Sequence, residues 1–94
     1  MKEEVSILFE RAEGFYENAK HNLYERRYDL SAFSCEQCIQ IALKGLILKT
    51  TGEIPRTHNL IELFSMLYKI TRNDDIKNFI SHRRKDLDKI ADAY

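Results

Sequence analysis

Apolar residues recur every three or four positions through most of the chain, the spacing of helices that each bury a stripe. From about Glu3 to Glu25 the stripe is Val5, Leu8, Ala12, Phe15, Ala19 and Leu23, with Phe9 and Tyr16 beside it. Glu10, Glu13, Glu17 and Lys20 fall off it. Arg26-Arg27-Tyr28 breaks the pattern, and Asp29 is the expected N-cap of a second helix from Leu30 to about Thr50. This second helix has two apolar faces, Leu30, Ile41, Gly45 and Leu48 on one and Ala32, Cys35, Ile39, Ala42 and Leu46 on the other. One face is expected against the rest of the chain and the other against a second copy. Gly45 in mid-helix costs about 1 kcal/mol relative to alanine, which points to a close approach of another helix.

Thr51-Gly52-Glu53-Ile54-Pro55 is the clearest break. Gly52 suits the left-handed conformation that ends a helix, and Pro55 keeps the chain from re-entering one at once. Thr57 or Asn59 is expected to cap a third helix carrying Leu60, Leu63, Phe64, Leu67, Tyr68 and Ile70. Thr71 to Asp75 is polar, with Asp74 and Asp75 suited to the positive start of a fourth helix. There Ile76, Phe79, Ile80, Leu87, Ile90 and Tyr94 share a stripe. The fold class expected is all-α, an up-and-down four-helix bundle forming a single domain over residues 1–94.

Composition narrows the function more than the fold. Lys plus Arg and Asp plus Glu are both 15, for a formal net charge of +0. The two halves are equally balanced, so no overall basic field draws the protein to DNA, and no DNA partner is expected. No run approaches the ~18 apolar residues of a membrane span, and the acidic start is no signal peptide, so a cytoplasmic protein is expected. Cys35 and Cys38 form a C-x-x-C, but no second Cys or His pair follows to complete a zinc site. The pair also lies inside a helical pattern rather than after a strand, where a redox motif belongs. Packing is the expected role. No phosphate-binding glycine loop, metalloprotease motif or Ser/His/Asp set occurs, and no catalytic residue, metal or cofactor is expected.

Two stretches carry a resemblance. Tyr28 to Leu46 reads Tyr-Asp, a small/aromatic pair, then a Gln-rich stretch (Gln37, Gln40) leading to Ala42-Leu43-Lys44. Thr51 to Leu63 brings Gly52, Pro55 and Thr57-His58-Asn59-Leu60. In this order and at this distance they resemble the HEPN family (higher eukaryote and prokaryote nucleotide-binding domains), over nearly the whole chain. The resemblance implies a small helical bundle, usually a homodimer, and often one encoded beside a minimal nucleotidyltransferase in toxin–antitoxin or defence pairs. It also implies nucleotide or RNA as a possible ligand. Many relatives are ribonucleases whose motif is Arg, a polar residue, four to six further positions and a His. Here Arg72-Asn73 opens such a motif, but Lys77, Asn78 and Phe79 stand where the His belongs, and His82 comes ten residues after Arg72. Some relatives end in an Arg-Tyr-Pro element near where Tyr94 falls, which raises the alternative of a truncated reading frame.

Six residues are the candidates for a ligand or partner groove: Gln37, Lys44, Arg56, His58, Arg83 and Arg84. Gln37 and Lys44 are two turns apart on one face, and a polar side chain in an apolar stripe needs a partner. For Gln37 that partner is expected to be Arg83 or a backbone carbonyl. His58 either pins the loop by capping or bonding carbonyls, or faces a ligand beside Arg56. Helical projection puts Arg83 in the middle of the fourth stripe, where it is expected first to pair with Glu36 or Gln37, with a polar groove and an exposed rim as the other readings. Three readings follow: a homodimeric partner of a nucleotidyltransferase, a ribonuclease using Arg72, Asn73 and His82 at altered spacing, and a structural adaptor.

Overall fold

The computed structural model describes residues 2–93, with side chains described to Ile90. Four helices follow in order: α1 (Lys2–Tyr24), α2 (Tyr28–Thr51), α3 (Leu60–Thr71) and α4 (Asp74–Ala93). No strand occurs among the described residues. The architecture is the expected all-α four-helix bundle. Tyr94, read into the last stripe, lies outside the described residues.

The helix ends follow local chemistry. Gly52 takes φ 82° and its N–H donates to Leu48 O, closing α2 in the left-handed way that glycine allows. Asn59 caps α3, its side chain accepting from the Glu62 N–H at 3.0 Å. Thr57, the other candidate, braces this cap instead, accepting from the Asn59 N–H and donating to the Glu62 carboxylate. Asp29 does not cap α2. The helix begins earlier, Arg27 is at its N-cap without a side-chain bond, and Asp29 sits in the first turn, where a carboxylate complements the helix dipole. The left-handed Arg26, φ 61°, turns the chain tightly enough for the helix to start at Tyr28.

Each helix packs chiefly on its neighbour in the sequence, α1 on α2, α2 on α3 and α3 on α4. The main core draws Leu43 and Ile47 from α2, Leu60, Ile61, Leu63 and Leu67 from α3, and Leu87 from α4. Phe64, Ile70, Ile76 and Ile90 pack against it, and Phe64 and Phe79 join α3 to α4 with ring centroids 5.0 Å apart. No α1 residue belongs to this cluster.

Small side chains build the α1–α2 contact. Ala12 and Ala19 are the buried residues of α1, and the buried Ser31 hydroxyl donates to Ala19 O at 2.8 Å. A Cβ at Gly45 would come within 2.9 Å of the Phe9 ring, so the mid-helix glycine does mark a close approach, and the partner is α1.

The two apolar faces read for α2 divide into three sectors. Ser31, Ser34, Gly45 and Leu48 are buried on the side bearing the Ser31 and Gly45 contacts with α1, and Leu43 and Ile47 are buried in the core. Ala32, Cys35, Ile39 and Leu46 form an exposed apolar stripe, with Ala42 half-buried beside them.

Candidate functional site

The most polar buried ground in the molecule lies where α2 meets the loop before α3. Glu36, Gln40 and Lys44 stand at successive turns of α2, four residues apart and therefore on one face. Glu36 and Gln40 are each only 6% exposed. The Glu36 carboxylate accepts from Gln37 Nε2 at 2.8 Å and from Gln40 Nε2 at 3.0 Å. Both donors are neutral amides, and among the described residues no cation stands within ion-pair distance of it. A carboxylate so deeply removed from water is costly to bury, so these amide bonds hold the junction together.

His58 closes the junction from the loop. Its Nδ1 lies 3.0 Å from Gln40 Oε1 and 3.0 Å from Lys44 Nζ. His58 is itself exposed, but Pro55 before it is buried and Asn59 after it caps α3, so the loop is anchored on either side of it. Because Gln40 turns its NH2 to Glu36, its oxygen faces the ring and asks for a proton on Nδ1. An ammonium at Lys44 asks the same atom to accept. One nitrogen cannot serve both contacts as hydrogen bonds at once: either Nδ1 carries hydrogen and donates to Gln40 Oε1, or it is bare and accepts from the Lys44 ammonium. Burial pushes the Lys44 amine below its ordinary value of 10.5, with the Glu36 charge opposing that shift. The site therefore holds a lysine eased toward its neutral form beside an imidazole with a choice of proton positions.

Of the six candidate residues, the structure brings three to this junction: Gln37, Lys44 and His58. Arg56 is exposed on the same loop, two residues before His58. Gln37 bonds neither Arg83 nor a backbone carbonyl, as its neighbour Glu36 supplies the acceptor. Arg83 is a correction. Its side chain is 63% exposed and reaches Asp86 at 3.5 Å, one turn along α4, rather than pairing with Glu36 or Gln37. Uniform helical projection locates a Cα, whereas a long arginine stem carries its charge out of an apolar stripe to water. Arg84 likewise faces solvent, 3.9 Å from Asp88.

Sequence reasoning missed Gln40, which bonds both Glu36 and His58. The four-residue ladder Glu36–Gln40–Lys44 was the signal that marks it, three polar residues in register beside the core positions Leu43 and Ile47.

The HEPN domain model matches residues 5–94. The chain belongs to the HEPN family. No curated protein and no solved structure matches it. The two stretches that resemble HEPN sequences touch at this junction: Lys44 ends the Ala-Leu-Lys of the first, and His58 is the histidine of the Thr-His-x-Leu in the second.

The parts of a HEPN ribonuclease motif lie elsewhere. Arg72 ends α3 in the left-handed conformation, φ 54°. His82 is exposed on α4, its Nδ1 donating to Asn78 O at 2.7 Å. From the start of α4 to His82 the helix rises about 12 Å.

Both cysteines are free thiols, and burial raises the pKa of Cys38. Cys35, expected to pack, is exposed on the apolar stripe of α2. Among the described residues no group of three or more His, Cys, Asp or Glu is placed to hold a metal ion, and no helix is long and apolar enough to cross a membrane.

Proposed function

We propose that this HEPN chain is a single-domain binding module that works as a homodimer, the partner of a separately encoded minimal nucleotidyltransferase in a toxin–antitoxin or defence pair in the cytoplasm. The observation that carries the dimer is the stripe Ala32, Cys35, Ile39, Ala42 and Leu46. Ile39 is 37% and Leu46 41% exposed, and the stripe from Ala32 to Leu46 runs about 21 Å along α2. A second copy laid on this stripe removes it from water, and an isologous interface uses the same patch twice. The polar junction of Glu36, Gln37, Gln40, Lys44 and His58 lies on a different sector of α2, next to Arg56. There it serves as the contact site for the partner enzyme or for a nucleotide or RNA. The separation of Arg72 from His82 favours the module over the ribonuclease.

Light scattering tests the assembly. The wild type is expected at twice the 11.1 kDa chain mass and Ile39→Glu at the chain mass, with helical circular dichroism retained. Cys35 should also alkylate faster in the variant than in the wild type. A wild type that stays at 11.1 kDa at every workable concentration overturns the dimer. Failure of the chain to co-purify with a co-expressed nucleotidyltransferase encoded beside it overturns the partnership.

A further inference from the structure

A second concavity lies between α3 and α4, a groove of about 440 Å³ lined by Ser65, Tyr68, Lys69 and Arg72 on one wall and by Lys77, Ile80 and Ser81 on the other. The first four stand at i, i+3, i+4 and i+7, so they share one face of α3 and of its C-cap. Three cations and three hydroxyls line it, and no carboxylate does. Three cations outside it pair along their own helix, Lys20 with Glu17, Arg83 with Asp86 and Arg84 with Asp88. Among the described residues, Lys69, Arg72 and Lys77 have no carboxylate within ion-pair distance.

Fold stability accounts for only part of this arrangement. Lys69 and Arg72 sit at the C-terminal end of α3, where the helix dipole draws cations. Arg72 is also fixed in place. Its N–H donates to Tyr68 O at 2.6 Å, and its guanidinium lies 5.8 Å from the centroid of the Tyr68 ring. Lys77 has no such explanation. It lies at the positive N-terminal end of α4, where the dipole disfavours a cation, yet it faces the groove opposite the other two.

We infer that the α3–α4 groove binds a compact phosphate group, of the size of a pyrophosphate, independently of the α2–loop junction. Arg72 presents a planar fork of donors, Lys69 and Lys77 supply point charges from the two walls, and the hydroxyls of Ser65 and Ser81 add neutral donors. A polynucleotide backbone fits less well. A strand running past the groove meets Asp74 and Asp75 at one end of α4 and Asp86 and Asp88 further along it.

Titration of the full chain with inorganic pyrophosphate, by calorimetry and by amide shifts in a 15N-labelled sample, tests this at constant ionic strength. Saturable binding is expected, with shifts centred on Tyr68, Lys69, Arg72 and Lys77. Lys69→Gln and Lys77→Gln, both exposed positions, should each weaken it about tenfold. Lys20→Gln, which removes a cation already paired on α1, should leave it unchanged. Absence of saturation, or equal affinity in the wild type and both groove variants, overturns the site. A single-stranded RNA oligomer that binds more tightly than pyrophosphate and loses that advantage in Lys77→Gln overturns the compact ligand. Because the readout is anion binding, its failure leaves the dimer and the nucleotidyltransferase partnership to their own tests.

Discussion

Leu63→Ala is expected to cost about 3–4 kcal/mol of folding free energy in urea denaturation followed by circular dichroism. Leu63 is 0% exposed and sits between Leu43 and Ile47 of α2 and Leu87 of α4 in the one cluster that joins three helices. Truncation loses the transfer energy of the removed carbons and leaves a cavity whose walls come from separate helices and collapse poorly. A domain of this length holds roughly 5–14 kcal/mol in total, so the change removes a large share of it. At about 4–8 °C per kcal/mol, the melting temperature should fall well beyond 10 °C. A loss below about 1 kcal/mol would show that the centre of the bundle is not where these buried residues place it.

Gln40→Leu should be the most damaging polar substitution, at about 2–4 kcal/mol. It removes one of the two amide donors to the buried Glu36 carboxylate and the oxygen that faces His58. The cost is that of stranding a buried charge, not of losing one hydrogen bond. The double variant Glu36→Leu/Gln40→Leu therefore recovers most of it, because donor and acceptor leave together. Equal losses in the single and double variants would mean that Gln40 contributes packing volume alone.

The helices were legible because apolar spacing is a local property of the chain, and the breaks at Gly52 and Asn59 rest on local backbone chemistry. Gly45 was readable for a similar reason, since a glycine in mid-helix is unfavourable unless something comes close. What failed needed tertiary information. Arg83 occupies a stripe position by phase, but the reach of its side chain and the proximity of Asp86 decide where its charge goes. Asp29 has the chemistry of a cap, yet the left-handed Arg26 lets α2 begin before it. The junction was half visible: Gln37, Lys44 and His58 stood out as polar residues near apolar ones. Gln40 was hidden because its role depends on a loop eighteen residues away. The α3–α4 groove could not be read at all, because Lys69, Arg72 and Lys77 share a cavity only once the two helices pair.

The serial packing of α1 on α2, α2 on α3 and α3 on α4 also sets how quickly the chain finds its shape. Every principal contact joins segments adjacent in sequence, and the longest connection to be closed is the loop from Gly52 to Asn59. Such short-range topology belongs to the fast end of the kinetic scale, in the microsecond-to-millisecond range. In the proposed dimer, the search for a second copy depends on protein concentration and is the slower step. A newly made chain therefore completes its own bundle first, with the Ile39 stripe exposed before the proposed dimer can form.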